Sequence, residues 1–410
     1  MSHRPTRHKY AVLQQACQLI PAFLVARLAR DHGVDKKART FSPWSHVVAL
    51  IYTHFAHALS LNDVCDSLRS HRAKLLTIRD ATPPSKNALS HANRYRDARM
   101  AKNLFWKTFE HLQSSCPAFG ARRQGAVMPR RFKRTIAVVD SSVIHLVANC
   151  MDWASHRRRK AAAKLHLSLD LQSFLPRFAV IDGARRSDKT HARSVCADLK
   201  EGEIAVFDRA YIDYTHLDEL TGRGVFWVTR TMKTMAFRCV KHLVKKPEGK
   251  ILSDQIVVLT GPLSRKKYPR RLRIVRALVE VRGKEREMTF MTNNLEWAPS
   301  SICDLHKSRW AIELFFKEIK QTLQLSDFLG YNQNAIVWQI WTALLVYVLV
   351  RFLAFIHRWP NGFKRLFCLL RSCVWDTYAM GALLKSCGTA GGIPRLRASP
   401  QQAWLPGFGP

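Results

Sequence analysis

The chain has 410 residues, 66 of them Lys or Arg against 30 Asp or Glu, which gives a formal net charge of +36 and a pI near 10.4. The length predicts two or three domains with ample core, and the charge excludes a protein that works apart from a polyanion: nucleic acid is the first partner to expect, an anionic membrane surface the second. The ten cysteines are scattered with no Cys-x-x-Cys pair, which supports neither a zinc site nor a disulfide framework and fits reduced, small apolar residues in a cytosolic protein.

The start leads only into a short apolar stretch from Leu19 to Ala26, interrupted by Pro21, a poor secretion signal. Residues 1 to about 125 read as a helical domain. Apolar residues recur at helical spacing from Trp44 to Phe55, and Ser60 or Asn62 caps the next helix. After Pro83-Pro84, Ser85 caps a third segment in which Lys86, Asn87, Ser90 and Arg94 lie along one side. Short and rich in donors, this segment reads either as a recognition helix for a DNA major groove or as a solvated face.

A linker with Gly120, Gly125 and Pro129 among arginines follows, and the texture then changes. Thr135–Val139, Lys164–Leu169 and Arg177–Ile181 read as strands, Asp188–Leu199 as a helix, and Glu203–Phe207 as a fourth strand. Three strands, a helix and a strand predict a mixed-sheet α/β domain over residues 126–330. Within it, residues 237–290 read as an inserted β subdomain with strands at 255–260, 272–281 and 287–291, separated by basic loops such as Arg265-Lys-Lys267. The basic run Arg157-Arg158-Arg159-Lys160 between the first two strands suits a phosphate backbone. Residues 331–410 read as a helical region. Its apolar run Ala335–Val350, with Trp338, Trp341 and Tyr347, falls short of the ~20 residues of a comfortable membrane span and reads as a core helix.

The chemistry rests on acidic residues. Asp140 and Asp208 each follow an apolar strand, where a carboxylate projects over the sheet edge; either one alone reads as a turn residue. In the helix expected over 306–320, taking Glu313 as zero, Arg309 falls at about −40°, Lys320 at about −20° and His306 at about +20°. Ile312, Leu314, Phe315, Phe316 and Ile319 fill much of the rest, so the polar stripe is expected to face a site rather than open water. If the first and fourth strands lie side by side, their carboxylates meet, and Glu313 can join them. Three carboxylates favour Mg²⁺ or Mn²⁺, and two such ions suit in-line attack on a phosphodiester. His166 and His191 read as structural or DNA-side residues.

His306-x2-Arg309-x3-Glu313-x6-Lys320 resembles the Tyr-x2-Arg-x3-Glu-x6-Lys signature of bacterial DDE transposases of the insertion-sequence-four group. Val138-Val-Asp140-Ser-Ser, Phe207-Asp208-Arg209-Ala-Tyr211, Phe226-Trp-Val-Thr229-Arg230 and Met291-Thr-Asn293-Asn294 are similar to stretches of that family, and Phe41-Ser-Pro-Trp44-Ser-His46 with Ser60-Leu61 resembles the accessory domain that often precedes it. The resemblance implies a ribonuclease-H-like fold with a β insertion ahead of the last acidic residue. It implies Asp140, Asp208 and Glu313 as the metal-binding triad. Arg309, Lys320 and His306 become phosphate contacts, with Arg209 and Tyr211 positioning the strand. It implies cut-and-paste transfer through hairpin ends, acting on terminal inverted repeats and target DNA as a homodimer in the bacterial nucleoid. A flipped base would be stabilised by Phe290, Trp297 or Trp227. The chain departs from the family at His306, in place of the signature tyrosine, and at Ala210, in place of a common glycine. A DNA-holding remnant without cleavage and a ribonuclease-H-like nuclease are the alternative readings.

Overall fold

The computed structural model describes residues 5–387, except 37, 39, 121–131, 147–154, 158–159, 184–187, 233, 245–246, 248, 282 and 326–327. Two expected basic features, Arg122-Arg123 with Arg130-Arg131 and Arg158-Arg159, lie outside the described residues.

The sheet is built on β1 (Ile136–Leu146), whose Val138 and Val139 are fully buried between two helical layers. β3 (Lys160–Asp170) and β4 (Leu175–Gly183) follow as an antiparallel meander on one side of β1, with the short β2 (Ser155–Arg157) also on β3. On the other side lie β5 (Ile204–Phe207), parallel to β1, and β6 (Phe226–Arg230), parallel to β5. The order β4-β3-β1-β5-β6, with the parallel pairs on one flank, is the ribonuclease-H-like arrangement expected. The insertion supplies β7 (Phe237–Val244), β8 (Ile251–Leu259), β9 (Leu272–Val281) and β10 (Lys284–Thr292). β10 pairs with β6, so the insertion prolongs the sheet to ten strands. The basic run Arg265-Lys-Lys267, expected as loop, is the end of a short helix at Pro262–Lys267.

Strand alternation sorts the sheet into two faces. Ala137, Val139, Ala205, Phe207 and Trp227 pack on one core, beneath the helices Asp188–Val195 and Tyr214–Gly222. Ile136, Val138, Val206 and Val228 face a larger core made by the remaining helices. In the N-terminal part these are α1 (Val12–Cys17), α2 (Ala22–Asp31), α3 (Pro43–Ala56), α4 (Leu61–Ser70), α5 (Arg72–Leu76), α6 (Lys86–Tyr95) and α7 (Arg99–Ser115). Ser60 caps α4 in a reciprocal capping box with Asp63, and Ser85 caps α6, as their positions before apolar periods predict.

With α8 (Asp188–Val195), α9 (Tyr214–Gly222), α10 (Pro262–Lys267), α11 (Pro299–Ser308) and α12 (Trp310–Lys317) numbered in order, the central helix of the large core is α13 (Gln333–Ile356). At 24 residues it is longer than the apolar run suggested and meets the length and hydropathy of a membrane span, but it lies mostly inside the protein, with Trp338, Trp341 and Tyr347 buried. The N-terminal helices pack directly on it. The regions expected as 1–125, 126–330 and 331–410 therefore share one core rather than standing apart. A polar clamp fixes the joint. The Asn334 amide donates to the carbonyls of Asn93 (2.9 Å) and Arg96 (2.6 Å) and accepts from the Ala98 N–H (3.0 Å), while Trp338 Nε1 donates to Arg96 O (2.7 Å). These groups are partly buried, and the clamp pairs each of them.

Asn334→Ala should therefore cost about 1–3 kcal/mol, from the loss of three partly buried hydrogen bonds each worth about 1 kcal/mol net. Urea denaturation measures it, and amide exchange should speed up over 86–98. Unchanged exchange there would show that the clamp does not hold α6.

Candidate active site

Asp140 lies in the interior of β1, not at its end as expected. The strand runs on to Leu146 because Ser141–Leu146 keep pairing with Ala161–His166 of β3. The parallel ladder with β5, however, stops at Val139–Phe207, one residue before both Asp140 and Asp208. At the carboxyl edge of this pair the two aspartates are thus in matching register. By alternation from Val138 and Val206, both turn to the face that carries α12 and Glu313. Two strand segments and one helix bring three acids distant in sequence to one rim of the sheet.

The segment 306–320 is not one regular helix. Arg309 N–H bonds to His306 O and Ile312 N–H to Arg309 O, each three residues back, which tightens the backbone between α11 and α12. Beyond α12 the chain widens into a π-helical turn, Glu318–Thr322. A uniform 100° step therefore misplaces the ends of the expected stripe. Glu313 sits on a side that is open to solvent, its side chain 51% exposed, rather than buried. Leu314 is likewise exposed, while Ile312, Phe315, Phe316 and Ile319 are buried as expected.

Arginines stand between the carboxylates. Arg309 Nη1 donates to Asp140 Oδ2 at 2.5 Å and Nη2 to Glu313 Oε1 at 3.3 Å. Arg230 Nη2 donates to Asp208 Oδ1 at 3.2 Å. Burial pushes Asp140 up to about 6; Arg309 and the Ser141 N–H oppose the rise, and the charges of Asp208 and Glu313 add to it. Burial works the same way on Asp208, but the Arg209 backbone N–H, Arg309 and Arg230 outweigh it and hold that carboxyl below the usual range. The tight cage expected of the three acids is not formed. Among the described residues no three acidic, His or Cys side chains stand close enough to enclose a metal ion, and the Arg309 guanidinium occupies the gap. The donor set itself still suits a divalent ion: all ligands are carboxylate oxygens, and Asp140 feels the other two as like charges, which a cation relieves.

Lys320, carried by the π turn, donates from Nζ to the carbonyl of Val143 at 2.5 Å, and burial lowers its pKa. Arg209 is exposed beside Asp208. Two residues expected as phosphate contacts are not at the surface. His306 is buried against Phe290, with ring centroids 4.9 Å apart, and burial followed by the charges of Arg309 and Arg230 lowers its pKa to about 3. It is a neutral, buried ring rather than an exposed phosphate contact. Tyr211 is buried on the opposite face of the sheet, its hydroxyl 3.1 Å from His166 Nδ1. Lys86, Asn87, Ser90 and Arg94 are all exposed along α6, remote in sequence from the acids. Arg230 was not singled out from sequence; its signal was its place at the end of a stretch similar to the transposase family.

Between the insertion and α11 lies a cavity of about 460 Å³ that opens beside Arg230 and Arg309 and is lined by Met288, Phe290, His306 and Trp310. Trp227 belongs to the other core and donates to Thr221 Oγ1 at 3.0 Å, and Trp297 packs on Phe226.

Residues 131–349 match the family model of the transposase DDE domain, and residues 8–78 match a domain of unknown function. Over 325 residues the chain is 29% identical to a putative transposase of Sinorhizobium fredii, y4zB, covering 78% of this chain and 85% of that one. It is 27% identical over 198 residues to the transposase InsG for insertion sequence element IS4 of Escherichia coli, covering 46% and 43%. The fold aligns with a piggyBac transposase, solved in a synaptic complex with hairpin DNA, at a TM-score of 0.45 and 10% identity, over 95% of this chain and 85% of that one.

The raised Asp140 has a measurable consequence. A carboxyl whose folded pKa, about 6, exceeds its ordinary 3.8 binds more protons folded than unfolded in that window. Stability therefore falls as pH rises from about 4 to about 6. Asp140→Asn should raise the melting temperature in divalent-free buffer at pH 7.5 by more than it does at pH 4. An equal shift at both would mean that Asp140 is not raised.

Proposed function

This chain belongs to the transposase DDE domain family, enzymes that cleave and join DNA, and we propose that it excises an insertion sequence by cutting at its terminal inverted repeats and joins the freed ends to target DNA. The observation that carries this reading is the meeting of Asp140, Asp208 and Glu313 on one sheet rim, all three within the matched span 131–349. Asp140, Asp208 and Glu313 would hold Mg²⁺ or Mn²⁺, which supplies Lewis-acid polarisation of the scissile phosphate and stabilises charge on the departing oxygen.

The chain's own residues do the rest. Arg309 and Arg230, now paired with the acids, are the cations within reach of a phosphate that approaches the rim; once the carboxylates have another counter-charge, both are free to bind its oxygens. Lys320 ties the catalytic helix to β1 through Val143 and adds positive charge on that side. Arg209, exposed next to Asp208, suits the DNA backbone. The cavity floored by Phe290, with Trp310 at its mouth, has the shape and apolar lining for a base unstacked near the cut, as a hairpin intermediate would require; Trp227 and Trp297 do not reach it. The exposed face of α6, with Lys86, Asn87, Ser90 and Arg94, suits a duplex groove in the repeat. Two ends must be brought together for transfer, so a homodimer on DNA in the nucleoid is the assembly this reading implies.

Glu313→Gln tests it. With labelled end DNA and Mg²⁺, cleavage should fall by at least about 100-fold while DNA binding stays near wild type. Normal cutting by the variant would remove Glu313 from the triad. Wild-type protein that binds but never cuts would be a silent remnant, and one that cuts without joining to a target plasmid would be a nuclease.

A further inference from the structure

Behind the two aspartates, on the opposite face of the sheet, lies a polar cluster that the chemistry above does not use. Its centre is Asp188, the first residue of α8. Oδ1 of Asp188 accepts from Ser141 Oγ at 2.9 Å, lies 2.7 Å from Lys164 Nζ, and lies 3.4 Å from His166 Nδ1. The same His166 nitrogen is 3.1 Å from the Tyr211 hydroxyl, which also bonds to Ser141. His191 packs against His166 with ring centroids 4.3 Å apart and the rings tilted by 40°, and it faces Asp182 at 3.2 Å. The groups are largely buried: His166 has no exposed surface, and the side chains of Lys164 and Asp188 are each 15% exposed.

The cluster begins where the backbone ladder ends. β1 and β5 are hydrogen-bonded only as far as Val139 and Phe207, so no parallel pairing holds Asp140 against Asp208. Ser141 is the peptide neighbour of Asp140. Tyr211 closes the 3₁₀ turn that starts directly after Asp208, its N–H bonded to Asp208 O at 3.0 Å. We propose that Asp188 is a positioning residue for the phosphodiester chemistry: it ties Ser141 to the His166–Tyr211 pair and so sets the separation of Asp140 and Asp208 from behind. This rests on the reading of those two acids as the metal-binding pair. The device places one fixed carboxylate, neutralised by Lys164, in the core behind two carboxylates that must remain free to bind.

The hydroxyl variants Ser141→Ala and Tyr211→Phe test the tie without removing the buried charge. Mn²⁺ binding by calorimetry in the absence of DNA should weaken by about 10-fold in each. The kcat for end cleavage should fall by about 10- to 100-fold, with KM for DNA and melting temperature near wild type. Ser141→Thr, which restores the hydroxyl, should recover both Mn²⁺ affinity and kcat. Wild-type Mn²⁺ affinity and kcat in both hydroxyl variants, alongside loss of Mn²⁺ by Asp140→Asn, would overturn the positioning role and leave the site intact. Wild-type Mn²⁺ binding by Asp140→Asn would remove the metal-binding reading and this inference with it.

Discussion

Like charges gathered at one place in a folded chain repel, and the structure has to supply something that makes their meeting tolerable. Here Asp140, Asp208 and Glu313 are drawn to one rim by the parallel pairing of β1 with β5 and by the packing of α12 over it. Arg309 spans two of the acids and Arg230 holds the third. The arrangement shows in each neighbouring group: Asp140, raised first by burial, is raised further by the charges of Asp208 and Glu313; Asp208 is held down against burial by the Arg209 N–H, Arg309 and Arg230; and His306, lowered first by burial, is lowered further by the same two arginines. The net charge of +36 extends the same logic to the whole molecule, which carries its counter-charge as a partner.

Much of this was legible in the residues. Short apolar and β-branched runs placed β1, β4, β5, β8, β9 and β10, a period-two run placed β3, and caps placed α4 and α6, because strand patterning and helix capping are local physics. The aspartates could be found because each follows a short β-branched run. Their coming together could be argued from strand order alone, since a right-handed crossover leaves few alternatives. The family match over 131–349 agrees with the residues that carried the resemblance.

What sequence periodicity could not give was departure from regular geometry. The tightened step at Arg309 and the π turn at Glu318–Thr322 both break the 100° rule, and these breaks turn His306 inward and aim Lys320 at Val143. Nor could composition tell that Tyr211 would be buried. A tyrosine two residues after an exposed arginine reads as surface until the 3₁₀ turn is known to fold it under the sheet. The shared core of the N- and C-terminal helices was hidden for a different reason. It depends on contacts hundreds of residues apart, such as Asn334 with Arg96, for which no local pattern exists.

The pairing of β10 with β6 ties the insertion to the rest of the sheet. The four strands of the insertion are bonded edge to edge onto the other six, so that all ten form one continuous sheet. From the far margin, where β7 leaves Phe237 and Val240 uncovered, the backbone ladders run without a break to β6 and then to β5, the strand that ends one residue before Asp208. The outer edge of the molecule and the rim that carries Asp140 and Asp208 are therefore joined through one unbroken series of backbone ladders.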